Sequence, residues 1–284
     1  MNNMPKLLPK TVVNSIREFI NLNKERLSVD PLSDKPLGQG VFRLIAKECD
    51  LLYYPIIDLD EKNNGCLIPH LPLKSGEERN VIFINTYQTA EKQVFAAAHE
   101  FGHHLGVDRF VQQKHHNADA ERIVNRFAAE WIMPESQFKK HVKRELNKQK
   151  TGKSIKLIDM IQIIVECMDA FTVPYNAAVI RMVEVGFLDI NSGRLLVDGD
   201  DKLVPLALLE IIREKMIAEK ENSVLQTRSL RKEYVGLSEL LDKETVIEKL
   251  PLNKVQRVRD WFDILKSEQS AELKRPISLK DEEE

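Results

Sequence analysis

The segment His99-Glu-Phe-Gly-His103 sets the architecture that we expect around it. Apolar residues recur on both sides of it at steps of three and four, which predicts an amphipathic helix over residues 89–106. His99 and His103 are four positions apart and therefore lie one turn apart on the same side of that helix. Two imidazoles in this arrangement can bind one tetrahedral metal ion. Glu100 projects beside them, where it can accept a proton from a water molecule instead of binding the metal.

The HExxH pattern is specific enough to support a functional hypothesis. The chain contains 7 histidines, and a chance match in a chain of this composition is an event of a few per cent at most. The motif also lies inside a predicted helix that follows a predicted strand, which is the context in which zinc peptidases carry it. We therefore favour a metal site over a helix with two solvated histidines.

A catalytic zinc ion takes a third protein ligand in addition to water. The extended pattern HExxHxxGxxH would supply it, and Gly106 fits that pattern, but its last position is Arg109, which cannot bind zinc. Other nearby residues are weaker candidates, because they are out of register, face away or precede the next helix: Asp108, His104, His115 and His116.

The next predicted helix, residues 118–132, offers better candidates for the third ligand. Apolar residues at helical spacing predict its buried face: Val124, Phe127, Ala128 and Trp131. Glu121 lies near the start of this helix, and a carboxylate donated by a second helix packed against the first is the gluzincin arrangement. Asp119 and Glu130 are the alternatives that spacing leaves open.

The remaining elements predict an α+β fold. Short apolar runs with aromatic and β-branched residues predict strands at 51–57, 66–68 and 81–84, which form a small sheet before residue 86. The other elements are predicted as helices: residues 11–26, 41–49, 134–147, 155–170, 174–185 and several segments between 203 and 270.

The composition is that of an ordinary globular protein. The 284 residues are 43% hydrophobic and carry a net charge of −2, so no global charge attracts nucleic acid or an anionic membrane. Neither a signal peptide nor a membrane span is visible, and we expect a soluble cytoplasmic protein. Cys49, Cys66 and Cys167 are widely spaced and form no CxxC pair, which predicts buried thiols in a reducing compartment.

Three segments together are far more specific than HExxH alone: Val81-Ile-Phe-Ile-Asn85, Phe95-Ala-Ala-Ala-His99-Glu-Phe-Gly-His103 and Glu121-Arg-Ile-Val-Asn125-Arg-Phe-Ala-Ala-Glu-Trp-Ile-Met-Pro134. They resemble the ImmA/IrrE metallopeptidases, also called the M78 peptidases. The resemblance implies a zincin-like core of the gluzincin type, with zinc held by His99, His103 and Glu121 and with Glu100 as the catalytic base. It covers residues 40–190 approximately and includes a helix-turn-helix-like segment around residues 167–181.

The resemblance also implies a domain organisation and a function. We expect four parts: an N-terminal helix and linker (1–37), the metallopeptidase core (38–150), the helix-turn-helix-like segment (151–190) and a mainly helical C-terminal region (191–284). Known members of the family cleave a transcriptional repressor of the XRE helix-turn-helix type, which releases a stress response or the excision of a mobile element. The resemblance therefore implies a zinc-dependent endopeptidase whose partner is such a repressor.

Two other classes of function compete with this hypothesis. In a non-proteolytic scaffold, the zinc site would be structural or sensory, but such a site has no chemical use for Glu100. Direct DNA binding is disfavoured by charge, since Arg181 is the only base between Leu157 and Asp189, against five acids. The residue that stabilises the oxyanion stays open among His104, Tyr175 and Arg181.

Overall fold

The computed structural model describes residues 4–27, 36–55, 64–72, 78–149, 155–200, 202–231 and 233–235. Within these ranges the strands are β1 (Asp50–Tyr54), β2 (Gly65–Pro72), β3 (Glu78–Asn85) and β4 (Glu233–Val235). The helices are α1 (Lys10–Leu22), α2 (Lys24–Leu27), α3 (Gly40–Ile45), α4 (Ala90–Leu105), α5 (Val107–Lys114), α6 (Ala120–Ile132), α7 (Glu135–Lys148), α8 (Leu157–Phe171), α9 (Tyr175–Glu184), α10 (Ile190–Asp198) and α11 (Leu206–Ala218).

The fold is α+β, with a small sheet and mostly helices. The described sheet has four strands in the order β2-β3-β1-β4, in which β1 and β3 are parallel and the two outer pairs are antiparallel. The three predicted strands are all present. The prediction that the sheet ends before residue 86 was wrong, because β4 pairs with Leu51–Tyr53 from the region predicted as mainly helical. Such a long-range pairing leaves no local sequence signal.

The helices differ from the prediction mainly at their ends. The predicted helix 11–26 is divided at Asn23, whose side-chain amide donates to the carbonyl oxygen of Phe19 and so ends α1. Two short helices were not predicted. One of them, α5, starts directly after Gly106, which ends α4 in the left-handed conformation at φ 76°. The other, α10, begins at Asp189, whose carboxylate accepts hydrogen bonds from two backbone N–H groups of the first turn.

Helix α4 packs between the sheet and α6. Its contacts with β2 and β3 lie on one side and those with α6 on the other. The approach of α6 depends on Gly102, because a Cβ atom at this position would lie 2.8 Å from Phe127 and 2.9 Å from Val124. Distances this short do not occur between real side chains, so a glycine is required here. The close contact brings the start of α6 beside His99 and His103.

A buried cluster of charges ties α6 to the rest of the helices. Glu130 of α6 binds Arg17 of α1, Arg126 of its own helix and the fully buried Arg181 of α9. Burial alone would raise the pKa of Glu130, but the attraction of Arg181 and the other guanidinium groups lowers this pKa to about 2. Arg181 also donates to the carbonyl oxygen of Met133. Arg181, the only basic residue between Leu157 and Asp189, is therefore enclosed inside the protein.

The three cysteines are all buried and form no disulfide. Burial raises the pKa of the Cys49 thiol to about 12 and raises that of Cys167 still further. These thiols are packing groups, as the wide spacing predicted. None of the helices in the described ranges is both long enough and apolar enough to cross a membrane.

Candidate metal centre

The three predicted metal ligands converge between α4 and the start of α6. Nε2 of His99 lies 3.3 Å from Oε2 of Glu121, and Nε2 of His103 lies 3.4 Å from Oε1 of the same carboxylate. One ligand atom from each residue lies within 4.8 Å of the others. Within the described part of the chain, no other group of His, Cys, Asp or Glu meets the same test for a metal site. Two imidazoles and one carboxylate fit a zinc ion, and this set leaves a fourth position open.

The second nitrogen of each imidazole faces an oxygen atom. Nδ1 of His99 lies 3.0 Å from the side-chain oxygen of Asn125, and Nδ1 of His103 lies 3.7 Å from a carboxylate oxygen of Asp108. An amide oxygen can only accept, so the contact with Asn125 requires the proton of His99 on Nδ1. In a neutral imidazole with this tautomer, Nε2 carries no proton and faces Glu121, which is the form in which imidazole binds a metal.

Glu100 lies beside this group but is separate from it. Its carboxylate is buried against β2, where Oε2 accepts a hydrogen bond of 2.8 Å from the backbone N–H of Leu67. The cleft in front of it has a volume of about 280 Å³ and is lined by His99, Glu100 and Glu121 together with Asn64 and Asn125, among others. The carboxylate of Glu100 therefore faces the same cleft as His99 and Glu121, two of the three candidate ligands.

Residues 65–183 match the family model Peptidase_M78, described as the IrrE N-terminal-like domain. This part of the chain is an M78 domain. The match confirms the resemblance seen in the sequence and supports a metallopeptidase as the general class of this domain. It begins with β2, includes α4 and α6, and ends within α9, so it runs past residue 150, where we predicted a boundary. That boundary stays a prediction. The chain has no match among curated proteins.

The alternative third ligands of the M78 domain have other contacts. Asp119 caps α6 by accepting a hydrogen bond from the backbone N–H of Arg122. Glu130 belongs to the buried charge cluster, and Asp108 faces the far side of the His103 ring. The remaining histidines bind elsewhere or line another surface: His104 contacts Asn80 and Glu48, His115 contacts Ser15, and His116 lies at a groove near the N-terminus.

The cleft contains none of the three candidates for oxyanion stabilisation. Arg181 is enclosed in the charge cluster, His104 faces away from the cleft, and the Tyr175 ring packs under the guanidinium of Arg213. Polar side chains that do line the cleft are Asn64, Lys92 and Asn125. The sequence analysis missed Asn125 as a partner of His99. Its spacing of four from Glu121 was the available signal, since this places both side chains on one face of α6.

Replacing Asn125 by alanine is expected to lower the affinity for zinc by about 10- to 100-fold, because His99 loses the acceptor that orients its ring and fixes its tautomer. The affinity is measured by competition with a chromophoric zinc chelator. Asn117→Ala is the matched control, since Asn117 is exposed and does not line the cleft. An unchanged affinity in Asn125→Ala would show that His99 is oriented by another group.

Proposed function

We propose that this chain is a zinc-dependent endopeptidase that hydrolyses a peptide bond in a protein partner. The observation that carries the proposal is the convergence of His99, His103 and Glu121 in front of Glu100, inside an M78 domain. This donor set is the one that catalytic zinc uses with a water molecule at its open position. The core is then zincin-like and of the gluzincin type, since its third ligand comes from a second helix.

The residues of the cleft supply the proton transfers of this reaction. When bound, a zinc ion would lower the pKa of water and polarise the carbonyl group of the scissile bond. Glu100 accepts the proton of the attacking water and later gives it to the leaving amine. The N–H of Leu67 binds Oε2 of Glu100, so Oε1 is the oxygen that carries the proton. Asn125 faces Nδ1 of His99 and would favour the tautomer that leaves Nε2 free for the metal.

We further propose that the partner is a transcriptional repressor of the XRE helix-turn-helix type, in a stress-response or mobile-element switch. This part of the proposal is supported by the family resemblance. The enclosed position of Arg181 is in line with a segment that docks protein and does not read DNA, because phosphate contacts need exposed basic side chains.

The test is to incubate the purified protein with such a repressor, taken first from the neighbouring genes, and to follow the full-length band. We expect two fragments from one cut. The chelator 1,10-phenanthroline should stop the reaction, and added zinc should restore it. Cleavage that continues at full rate in the chelator would belong to a different class of protease and would overturn the proposal.

A further inference from the structure

An apolar groove opens directly beside the cleft of Glu100. We call it the α9 groove, because α9 forms one of its walls, opposite α6 and the N-terminal segment. Its volume is about 300 Å³. Its apolar lining comes from four parts of the chain: Leu7, Leu8, Phe95, Ala129, Ala177 and Ile180. Leu7 is 38% exposed, so apolar surface is left open to solvent here. A pocket of this kind is suited to an apolar ligand group.

The α9 groove and the cleft are continuous. Phe95, Asn125 and Pro174 line both of them. Asn125 also contacts His99, so the side chain of Asn125 lies between the groove and a candidate metal ligand. A peptide bound with one bond in front of Glu100 can therefore place an adjacent side chain in the neighbouring groove.

The buried charged side chains in the walls of the groove are paired with one another. Arg126 binds Glu130 at 2.6 Å and also binds Glu184, and the side chains of all three are at most 10% exposed. Arg122 donates to the carbonyl oxygen of Lys6 at the rim. A basic side chain in the groove would lose its water without gaining a free carboxylate, because Glu184 is already bound by Arg126 and Arg181. The apolar lining thus favours an apolar side chain over a basic one, and Arg122 and Lys6 make an acidic side chain the competing occupant.

We propose that the α9 groove binds a large apolar side chain of the substrate, such as leucine, methionine or phenylalanine, next to the peptide bond that is cut. The inference rests on the proposed function and adds a substrate preference to it. It also gives the helix-turn-helix-like segment a role in the peptidase, because α9 supplies Ala177 and Ile180 to the wall of the groove.

The experiment measures binding of hydroxamic acids to the zinc-loaded full chain by titration calorimetry. A hydroxamate chelates the metal and so fixes its own side chain beside the cleft. Three compounds differ only in that side chain, which is methyl, isobutyl or carboxymethyl, and acetohydroxamate serves as the reference without one. The isobutyl compound should bind roughly tenfold or more tightly than the methyl compound, because it buries three additional carbon atoms.

Two variants locate the preference in the groove. Ala177→Phe fills it and should reduce the gain of the isobutyl compound to about threefold or less, with acetohydroxamate binding unchanged. Ala218→Phe is the matched control, because Ala218 is exposed at the end of α11 and lies outside the groove, and it should keep the full gain. If Ala177→Phe does not fold, Leu7→Ser tests the opposite wall of the groove at an exposed position and should also reduce the gain.

The outcomes separate this inference from the proposed function. If acetohydroxamate does not bind the zinc-loaded protein, the metal centre itself has failed. If acetohydroxamate binds but the isobutyl compound gains nothing over methyl, the groove is not a side-chain site. Tightest binding of the carboxymethyl compound would also overturn the inference, because Arg122 and Lys6 would then be the recognition elements. An equal gain in Ala177→Phe would place the preference elsewhere.

Discussion

Replacing Glu121 by alanine is expected to yield a folded protein with almost no zinc, while the wild-type protein retains about one zinc ion per chain. Two imidazoles cannot hold the ion without the carboxylate that faces both of their Nε2 atoms. Mutation of a residue that hydrogen-bonds to a metal ligand typically lowers the metal affinity about 10- to 100-fold. Loss of a direct ligand should lower it further, so we expect a decrease in zinc affinity above about 100-fold. Optical emission spectroscopy measures the zinc content, and competition with a chelator measures the zinc affinity.

The control for this variant is Asp119→Asn. It removes a carboxylate two residues away, but asparagine is as good an N-cap as aspartate, so α6 should start unchanged. Zinc content should stay at the wild-type level. Glu130→Ala is a poor control, because it leaves Arg181 buried without its main counter-ion, and breaking such a pair costs roughly 3–5 kcal/mol of stability. Wild-type zinc content in the double variant His99→Ala, His103→Ala would refute the whole ligand assignment.

The two helices of the site could be predicted because their signal is local. The periodic apolar residues of α4 and α6 appear in the sequence, and the spacing of four between His99 and His103 determines that they share a face. The third ligand was harder to predict, because Asp119, Glu121 and Glu130 all belong to the predicted second helix. The rotation of α6 against α4 separates them, and this rotation is set by the contact of Gly102 with Phe127 and Val124.

Other features depend on contacts between distant parts of the chain and could not be predicted. The pairing of β4 with β1 and the ion pair between Glu130 and Arg181 are two examples. Asp108 is a third. Asp108 lies one position before the last residue of the HExxHxxGxxH pattern, so no clear partner for it was evident from the sequence. Gly106 ends α4 in the left-handed conformation, and α5 then places Asp108 beside the ring of His103. The helices expected beyond residue 235 lie outside the described residues.

Replacing Glu100 by glutamine is expected to stop cleavage of the partner while the fold and the zinc content stay unchanged. Glu100 does not belong to the group of candidate ligands, so the metal should be retained. Glutamine has the same shape, and its side-chain oxygen can still accept the hydrogen bond from the N–H of Leu67. An amide cannot take a proton from water at neutral pH. Removing a positioned general base costs on the order of 100- to 10,000-fold in rate.

This substitution also separates an enzyme from a scaffold. If the M78 domain only binds its partner, then binding and the cellular response would both survive in Glu100→Gln, and the full-length partner would be equally abundant with either protein. If the domain is a peptidase, the full-length partner should disappear with the wild-type protein and persist with the variant, at equal zinc content. The measurement is the amount of full-length repressor in cells that express one protein or the other. Equal loss of the repressor with both proteins would remove Glu100 from the mechanism, because the reaction would then proceed without its carboxylate.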